Sequence, residues 1–362
     1  MGTEAHMKNQ KRFFETLAIH GDTDRPEPSA GDPVVYPQVH STVFRMAAEA
    51  EDGELIYTRH ENPNRSQLES VLASLEAGEA CAAFSSGMAA STAIVQALKS
   101  GDHIIIPDDL YHGTRKLMTE TMEPWGLEAS VTDMSRPEHL EQAIQSNTKM
   151  VWVETPSNPL LQIVDIRRIS NICNQHGVLL VVDNTWPSPV NQQPLHLGAD
   201  LVMHSTSKYI GGHSDLLGGA VVAKRKEGFF ERIRDLQRSS GAVPSPADCW
   251  LMLRSIRTLP CRIRSHNQHA ISISLFLEEH HSVSRVYYPG LKSHPGHEIA
   301  KTQMYGFGGM ISFLVEGDRE SASRVVQGSR LIAPVTSLGG VESTWEHRIR
   351  SEGPGTGTPG NL

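Results

Sequence analysis

Val178-Leu179-Leu180-Val181-Val182-Asp183-Asn184-Thr185 is the stretch that decides how this chain folds. Val178 to Val182 is continuously apolar and ends on a carboxylate. A strand with one wet face alternates apolar and polar residues. An unbroken apolar run of this length reads instead as a strand covered on both faces. Working outward, similar short runs recur with helical patterns between them. Upstream lie strands at Ala80 to Phe84, His103 to Pro107 and Met150 to Glu154. Helices are expected at Ser66 to Leu75, Met88 to Leu98, near Gly113 to Trp125, and at Ile166 to His176. Downstream come strands at Leu201 to His204 and Ala220 to Ala223. Strands alternating with helices imply an α/β fold with a mostly parallel sheet.

Beyond this unit the rhythm changes. A long polar helical region, Glu227 to Leu259, is followed by a helix over Ser265 to His280. Strand-like segments then lie around Val283 to Tyr288 and Met310 to Val315, which together read as a smaller α+β domain. Pro26, Pro28, Gly31, Pro33 and Pro37 break the start of the chain, and the segment from Ser351 reads as a loop. The expected division is an N-terminal arm over 1–55, a large domain over 56–240 and a C-terminal domain over 241–362.

Composition excludes several classes. The 362 residues carry a net charge of −8 with no dense Lys/Arg block, so nucleic acid and anionic membrane are poor partners. No run approaches the ~18 apolar residues of a membrane span. Met1 to Gln10 is polar and lacks the apolar core of a secretory signal. Cys81, Cys173, Cys249 and Cys261 form no Cys-x-x-Cys pair and read as reduced thiols, which points to the cytoplasm. The 18 histidines include the i,i+3 pairs His266/His269 and His294/His297, but no cysteine or carboxylate completes a known ligand pattern, so no metal is expected. No Gly-x-Gly-x-x-Gly follows a strand, which argues against a nicotinamide enzyme.

Open α/β sheets bind ligands beyond the carboxyl ends of their strands. After Ala80 to Phe84 comes Ser85-Ser86-Gly87-Met88-Ala89-Ala90, small residues that open a helix whose N-terminus suits a phosphate; the same residues also read simply as a helix capped by Ser86. After Val178 to Val182, Asp183 is a carboxylate that needs a cation or donors; a protonated pyridine nitrogen is such a cation, and a structural ion pair is the plainer alternative. After Leu201 to His204 comes Ser205-Thr206-Ser207-Lys208-Tyr209. Desolvation makes a lysine there a better nucleophilic amine, and the hydroxyls of Ser205 and Ser207 can add donors to a phosphate. A phosphate cradle, an acceptor for a ring N–H and an amine are the parts that pyridoxal 5'-phosphate requires.

These residues resemble the cystathionine γ-synthase/γ-lyase family of Cys/Met-metabolism pyridoxal-phosphate enzymes, from about Tyr57 to Glu342. The resemblance rests on Tyr57-Thr58-Arg59 with Asn62-Pro63, Ser86-Gly87-Met88, Glu154-Thr155-Pro156-Ser157-Asn158-Pro159 and Val182-Asp183-Asn184-Thr185. It continues through Ser205-Thr206-Ser207-Lys208-Tyr209, Gly212-His213-Ser214-Asp215 and Ser337-Leu338-Gly339-Gly340. It implies an aminotransferase-like fold of type I, with a seven-stranded, mostly parallel sheet in the cofactor domain. It also implies roles: Lys208 carries the cofactor and moves protons, Asp183 pairs with the ring nitrogen, and Tyr111 stacks on the ring. Ser86, Gly87, Met88, Ser205 and Ser207 hold the phosphate, while Tyr57 and Arg59 reach the phosphate of a neighbouring subunit. Asn158 and Ser337 line the substrate carboxylate site. The implied reaction is γ-elimination or γ-replacement on a sulfur amino acid or homoserine ester, by a homo-oligomer built as a dimer of dimers.

The chain departs from the pattern in three places. Ile56 replaces the acidic residue that often precedes the tyrosine in members acting on cystathionine or succinylated homoserine. Methionine γ-lyases and O-acylhomoserine sulfhydrylases are apolar there, so the residue favours an uncharged substrate tail. Ser337 to Ser343 looks instead like the cystathionine enzymes. Thr344-Trp345-Glu346-His347-Arg348 replaces a His-Pro-Ala-rich stretch, which marks a side branch. The sequence stops at Leu362, just before the Arg-containing strand that clamps the substrate carboxylate in the family. From this we expect a C-terminal domain incomplete at its end, and either a longer natural chain or a catalytically weak cofactor-binding paralogue, unless Arg348 or Arg350 takes over that contact.

Overall fold

The structure, a computed structural model, describes residues 13–21, 30–46, 55–348 and 362. Much of the expected arm, the segment from Ser351 to residue 361, and Arg350 lie outside the described residues. Seven strands form one sheet: β1 (Ala80–Phe84), β2 (His103–Pro107), β3 (Glu128–Thr132), β4 (Thr148–Glu154), β5 (Leu179–Asp183), β6 (Leu201–His204) and β7 (Gly219–Ala223). Their order is β1-β7-β6-β5-β4-β2-β3. Strands β2 to β6 pair in parallel, and β7 runs antiparallel between β1 and β6.

The apolar runs form strands because both faces of the sheet are covered. Val151 and Val153 of β4, with Leu180 and Val182 of β5, join one core beneath helix Pro63–Leu75 and helix Ile166–His176. Met150, Trp152 and Val181 point the other way, into a core closed by helices Gly87–Gln96 and Phe229–Ser240. Trp152 is the largest fully buried side chain among the described residues. Burying each such side chain stabilises the fold by about 1.5–3 kcal/mol.

Strand β3 was not legible as a strand. It lies at one edge of the sheet, and because its residues are half-covered or exposed its sequence Glu-Ala-Ser-Val-Thr carries no apolar run. The polar region Glu227 to Leu259 is not one helix. Helix Phe229–Ser240 stops at Gly241, whose φ of 74° is a left-handed cap, and Pro246 opens a second helix, Pro246–Ile256. The helix expected from Ser265 begins earlier and spans Leu259–Glu278. That helix bridges two cores: Leu259 and Ile263 enter the sheet's core, and Ala270 packs with Tyr288 and Leu291. Next to it lie the antiparallel pair β8 (Val283–Tyr287) and β9 (Ser312–Val315), and a short parallel pair, β10 (Ala333–Pro334) with β11 (Thr344–Trp345). The last pair brackets the loop that carries Ser337. Among the described residues, no helix is long and apolar enough to cross a membrane.

Candidate active site

Asp183 and Glu154 are the last residues of neighbouring parallel strands and stand in register. Both are buried. Asp183 Oδ1 accepts the Thr185 N–H at 3.0 Å, and the Thr185 hydroxyl accepts the Ser205 N–H at 2.8 Å, so the end of β5 is tied to the loop after β6. Burial raises the Asp183 carboxyl above its ordinary value, opposed by the Thr185 bonds and by His204. Burial, reinforced by Asp183, pushes Glu154 well up. Thr185 and Glu154 were quoted above only as parts of motifs. Their roles depend on strand register, which local sequence does not show.

The turn after β1 and helix Gly87–Gln96 meet the same corner. The Ser86 hydroxyl accepts the Ala89 N–H at 3.1 Å and so caps the helix. The N–H groups of Gly87 and Met88, first and second in the helix, have no intrahelical acceptor. Gly87 is required by close approach: a Cβ there would lie 2.7 Å from Ser205 Cβ and 2.9 Å from Ser205 Oγ. The helix N-terminus and the Ser205 hydroxyl therefore share one small space. The Ser207 hydroxyl is engaged elsewhere, accepting the Gly218 N–H at 3.0 Å and donating to Gly218 O at 3.3 Å.

Lys208 lies in the tight loop after β6. Lys208 N–H donates to Ser205 O at 3.2 Å, and Gly212 N–H to Lys208 O at 2.7 Å. Arg262 fastens this loop from the outside, donating to Tyr209 O at 2.7 Å and Ser255 O at 3.0 Å. Its guanidinium is drawn down to about 10 by burial. The Lys208 amine donates to the Ser337 hydroxyl at 2.6 Å. Burial lowers that amine below its ordinary value, opposed by Glu346. Tyr111 opens helix His112–Lys116 and lies against Gly113, where a Cβ would meet its ring at 2.6 Å and Met88 Sδ at 3.2 Å. Asn158 is buried in the loop after β4.

Asp183, Gly87, Met88, Ser205 and Lys208 thus converge at one end of the sheet, with Ser337 added from the second unit. Tyr57 and Arg59 point elsewhere within this chain. Arg59 donates to Arg238 O at 2.6 Å and stacks 5.6 Å from the Tyr57 ring centroid. Among the described residues no group of three or more His, Cys, Asp or Glu side chains could hold a metal ion.

The Cys/Met metabolism PLP-dependent enzyme family matches residues 15–352. A probable cystathionine gamma-synthase of Herpetosiphon aurantiacus is 44% identical over 318 residues, which is 88% of this chain and 99% of that protein. The cystathionine gamma-lyase of Bacillus subtilis is 45% identical over 329 residues, 91% of this chain and 86% of that one. Among solved structures, metB from Corynebacterium glutamicum matches with a TM-score of 0.92 at 42% identity, covering 97% of this chain and 92% of its own. Cystathionine gamma-lyase from Lactobacillus plantarum, complexed with L-serine, matches at a TM-score of 0.89 and 37% identity, covering 94% and 88%.

Proposed function

Because this chain belongs to the Cys/Met metabolism PLP-dependent enzyme family, we propose that the residues around Lys208 hold pyridoxal phosphate and act on a cystathionine-type substrate. The chain is a PLP-dependent enzyme whose reaction class is γ-elimination or γ-replacement, of the gamma-synthase and gamma-lyase type. The side chains fit the cofactor. A buried carboxyl suits a protonated ring nitrogen, a desolvated amine suits an aldehyde, and the space beside Gly87 offers two backbone N–H groups and a hydroxyl to a phosphate.

When bound, pyridoxal phosphate supplies an electron sink for negative charge at the substrate's α-carbon. The protein's part follows from its own groups. Asp183 holds a proton at the ring nitrogen. Gly87, Met88 and Ser205 bind the phosphate, and Tyr111 covers the ring face. Lys208 takes and returns the α-proton, and Ser337 fixes where its amine rests. Asn158 and Ser337 orient the substrate carboxylate. The 2.6 Å contact between Lys208 and Ser337 carries this reading, because it puts the Lys208 amine and a substrate-side hydroxyl in the same place.

Ile56, 45% exposed beside Tyr57, favours a second reading, methionine γ-lyase or O-acylhomoserine sulfhydrylase. A panel of cystathionine, methionine, O-acetylhomoserine and O-succinylhomoserine, scored for keto acid and thiol release, separates the two. Highest kcat/KM on cystathionine or O-succinylhomoserine supports the first reading, and highest on methionine or O-acetylhomoserine overturns it.

The same proposal includes a homo-oligomer, a dimer of dimers, in which Tyr57 and Arg59 serve a neighbour's phosphate. Its support is the apolar surface left along the arm, where Val34 is 85% and Val43 and Met46 are 65% exposed. A cytoplasmic location is supported by four free cysteines, three of them buried. The division into 1–55, 56–240 and 241–362 is proposed with one adjustment: Cys249, Met252, Ile256, Leu259 and Ile263 pack in the sheet's own core.

A further inference from the structure

Two carboxyl side chains tie the loop after β2 to the end of β4 and the loop that follows it. Asp109 accepts the Ser157 hydroxyl, and its Oδ2 accepts the Leu160 N–H at 3.2 Å. Glu154 reaches back the other way, its Oε2 accepting the Tyr111 N–H at 3.1 Å. The bonds run in opposite directions across one gap, so sliding either loop breaks at least one of them. One loop carries Tyr111 and the other carries Asn158. Tyr111 is 45% exposed and its side chain makes no cap bond, so the bond from its backbone N–H to Glu154 is an anchor at the buried end of an otherwise open residue.

We propose that Glu154 is a positioning residue: it pins Tyr111, and so the aromatic face of the site, to the loop that carries Asn158. This rests on Tyr111 covering the cofactor ring, as read above. The bond needs an acceptor of the right reach, not a charge. Glu154 Oε1 is buried without a hydrogen-bond partner among the described residues. Burial raises its carboxyl well above the ordinary value; Asp183, in register beside it, and Asp109 add to the shift, and the Tyr111 N–H bond and Arg348 oppose it. That setting favours the neutral carboxyl at Glu154, so an uncharged acceptor of the same reach should serve in its place.

The test uses the apoprotein of the full chain, titrated with pyridoxal phosphate and followed by visible absorbance, with apoprotein melting as a check on folding. Glu154→Gln keeps an acceptor at the same reach, and Glu154→Asp keeps a carboxyl but withdraws it by one methylene. We expect E154Q to bind within about twofold of the parent and E154D to bind on the order of tenfold more weakly, with apoprotein melting temperatures within about 3 °C of the parent. Tyr111→Ala is the control and should bind at least as weakly as E154D. Parent-like binding by E154D overturns the proposal, and so does an E154Q as weak as E154D, since charge would then be what matters. Parent-like binding by Y111A overturns the reading of Tyr111 itself, and the proposal falls with it.

Discussion

The Lys208 amine donates to the Ser337 hydroxyl at 2.6 Å across 129 residues of chain. Ser337 has a φ of 83°, in the left-handed region that a serine rarely adopts. Two residues on, a Cβ on Gly339 would come within 2.5 Å of Tyr209 N and 2.7 Å of Lys208 C. The Ser337 loop therefore sits directly on the lysine's backbone, and only glycine at 339 permits it.

This packing has a pH consequence. Burial lowers the Lys208 amine from 10.5, so the neutral, nucleophilic form appears at lower pH than for a free lysine. The rate at which apoprotein takes up pyridoxal phosphate should rise with pH and level off with a midpoint below 10.5. Glu346 opposes the shift, so Glu346→Gln should move the midpoint further down. Stopped-flow absorbance across the pH range measures both; a midpoint at or above the free value contradicts the reading.

Lys208→Ala should abolish both the cofactor's covalent attachment and turnover. Borohydride reduction of the parent followed by peptide mapping should label Lys208. A label on any other lysine sinks the assignment.

Asp183→Asn should fold and retain much of the cofactor but lose most of its turnover. Activity within about threefold of the parent, ~0.7 kcal/mol of transition-state stabilisation, would be too little for the role assigned to this carboxylate. The apoprotein should change the other way. The folded Asp183 pKa is raised, so the stability it contributes is present at acid pH and lost as pH rises through the folded value. At neutral pH the buried carboxyl, less ready to ionise than in the unfolded chain, is a cost that asparagine removes. We expect D183N apoprotein to melt about 2–4 °C higher at pH 7, with the gain shrinking as pH falls toward 3.8. A melting difference that is constant with pH refutes this account.

Arg59→Ala and Lys208→Ala subunits, each inactive alone, should regain partial activity when mixed under exchange conditions. The motive is that the Arg59 side chain meets Tyr57 and Arg238 O among the described residues of its own chain, while Val34, Val43 and Met46 of the arm are exposed. Size-exclusion chromatography should show the parent as an oligomer. A monomer with full activity would falsify the shared site.

The sequence by itself determined the strands that are buried on both faces. Burial on both faces demands an apolar run, and β2, β4, β5, β6 and β7 were each legible as one. It also placed candidate residues at strand ends, Gly87 after β1, Asp183 at the end of β5 and Lys208 after β6, because what sits at a strand end is written next to the strand. It did not reveal β3, whose half-covered and exposed residues ask for no apolar run, nor the break at Gly241 inside a polar helical stretch. Only the tertiary structure decided that β7 turns antiparallel between β1 and β6, that Glu154 stands beside Asp183, and that Ser337 meets Lys208. The reason is range. Periodicity and capping act over a few residues, whereas register, strand order and a hydrogen bond across 129 residues are set by how whole elements pack, and no local pattern encodes that choice.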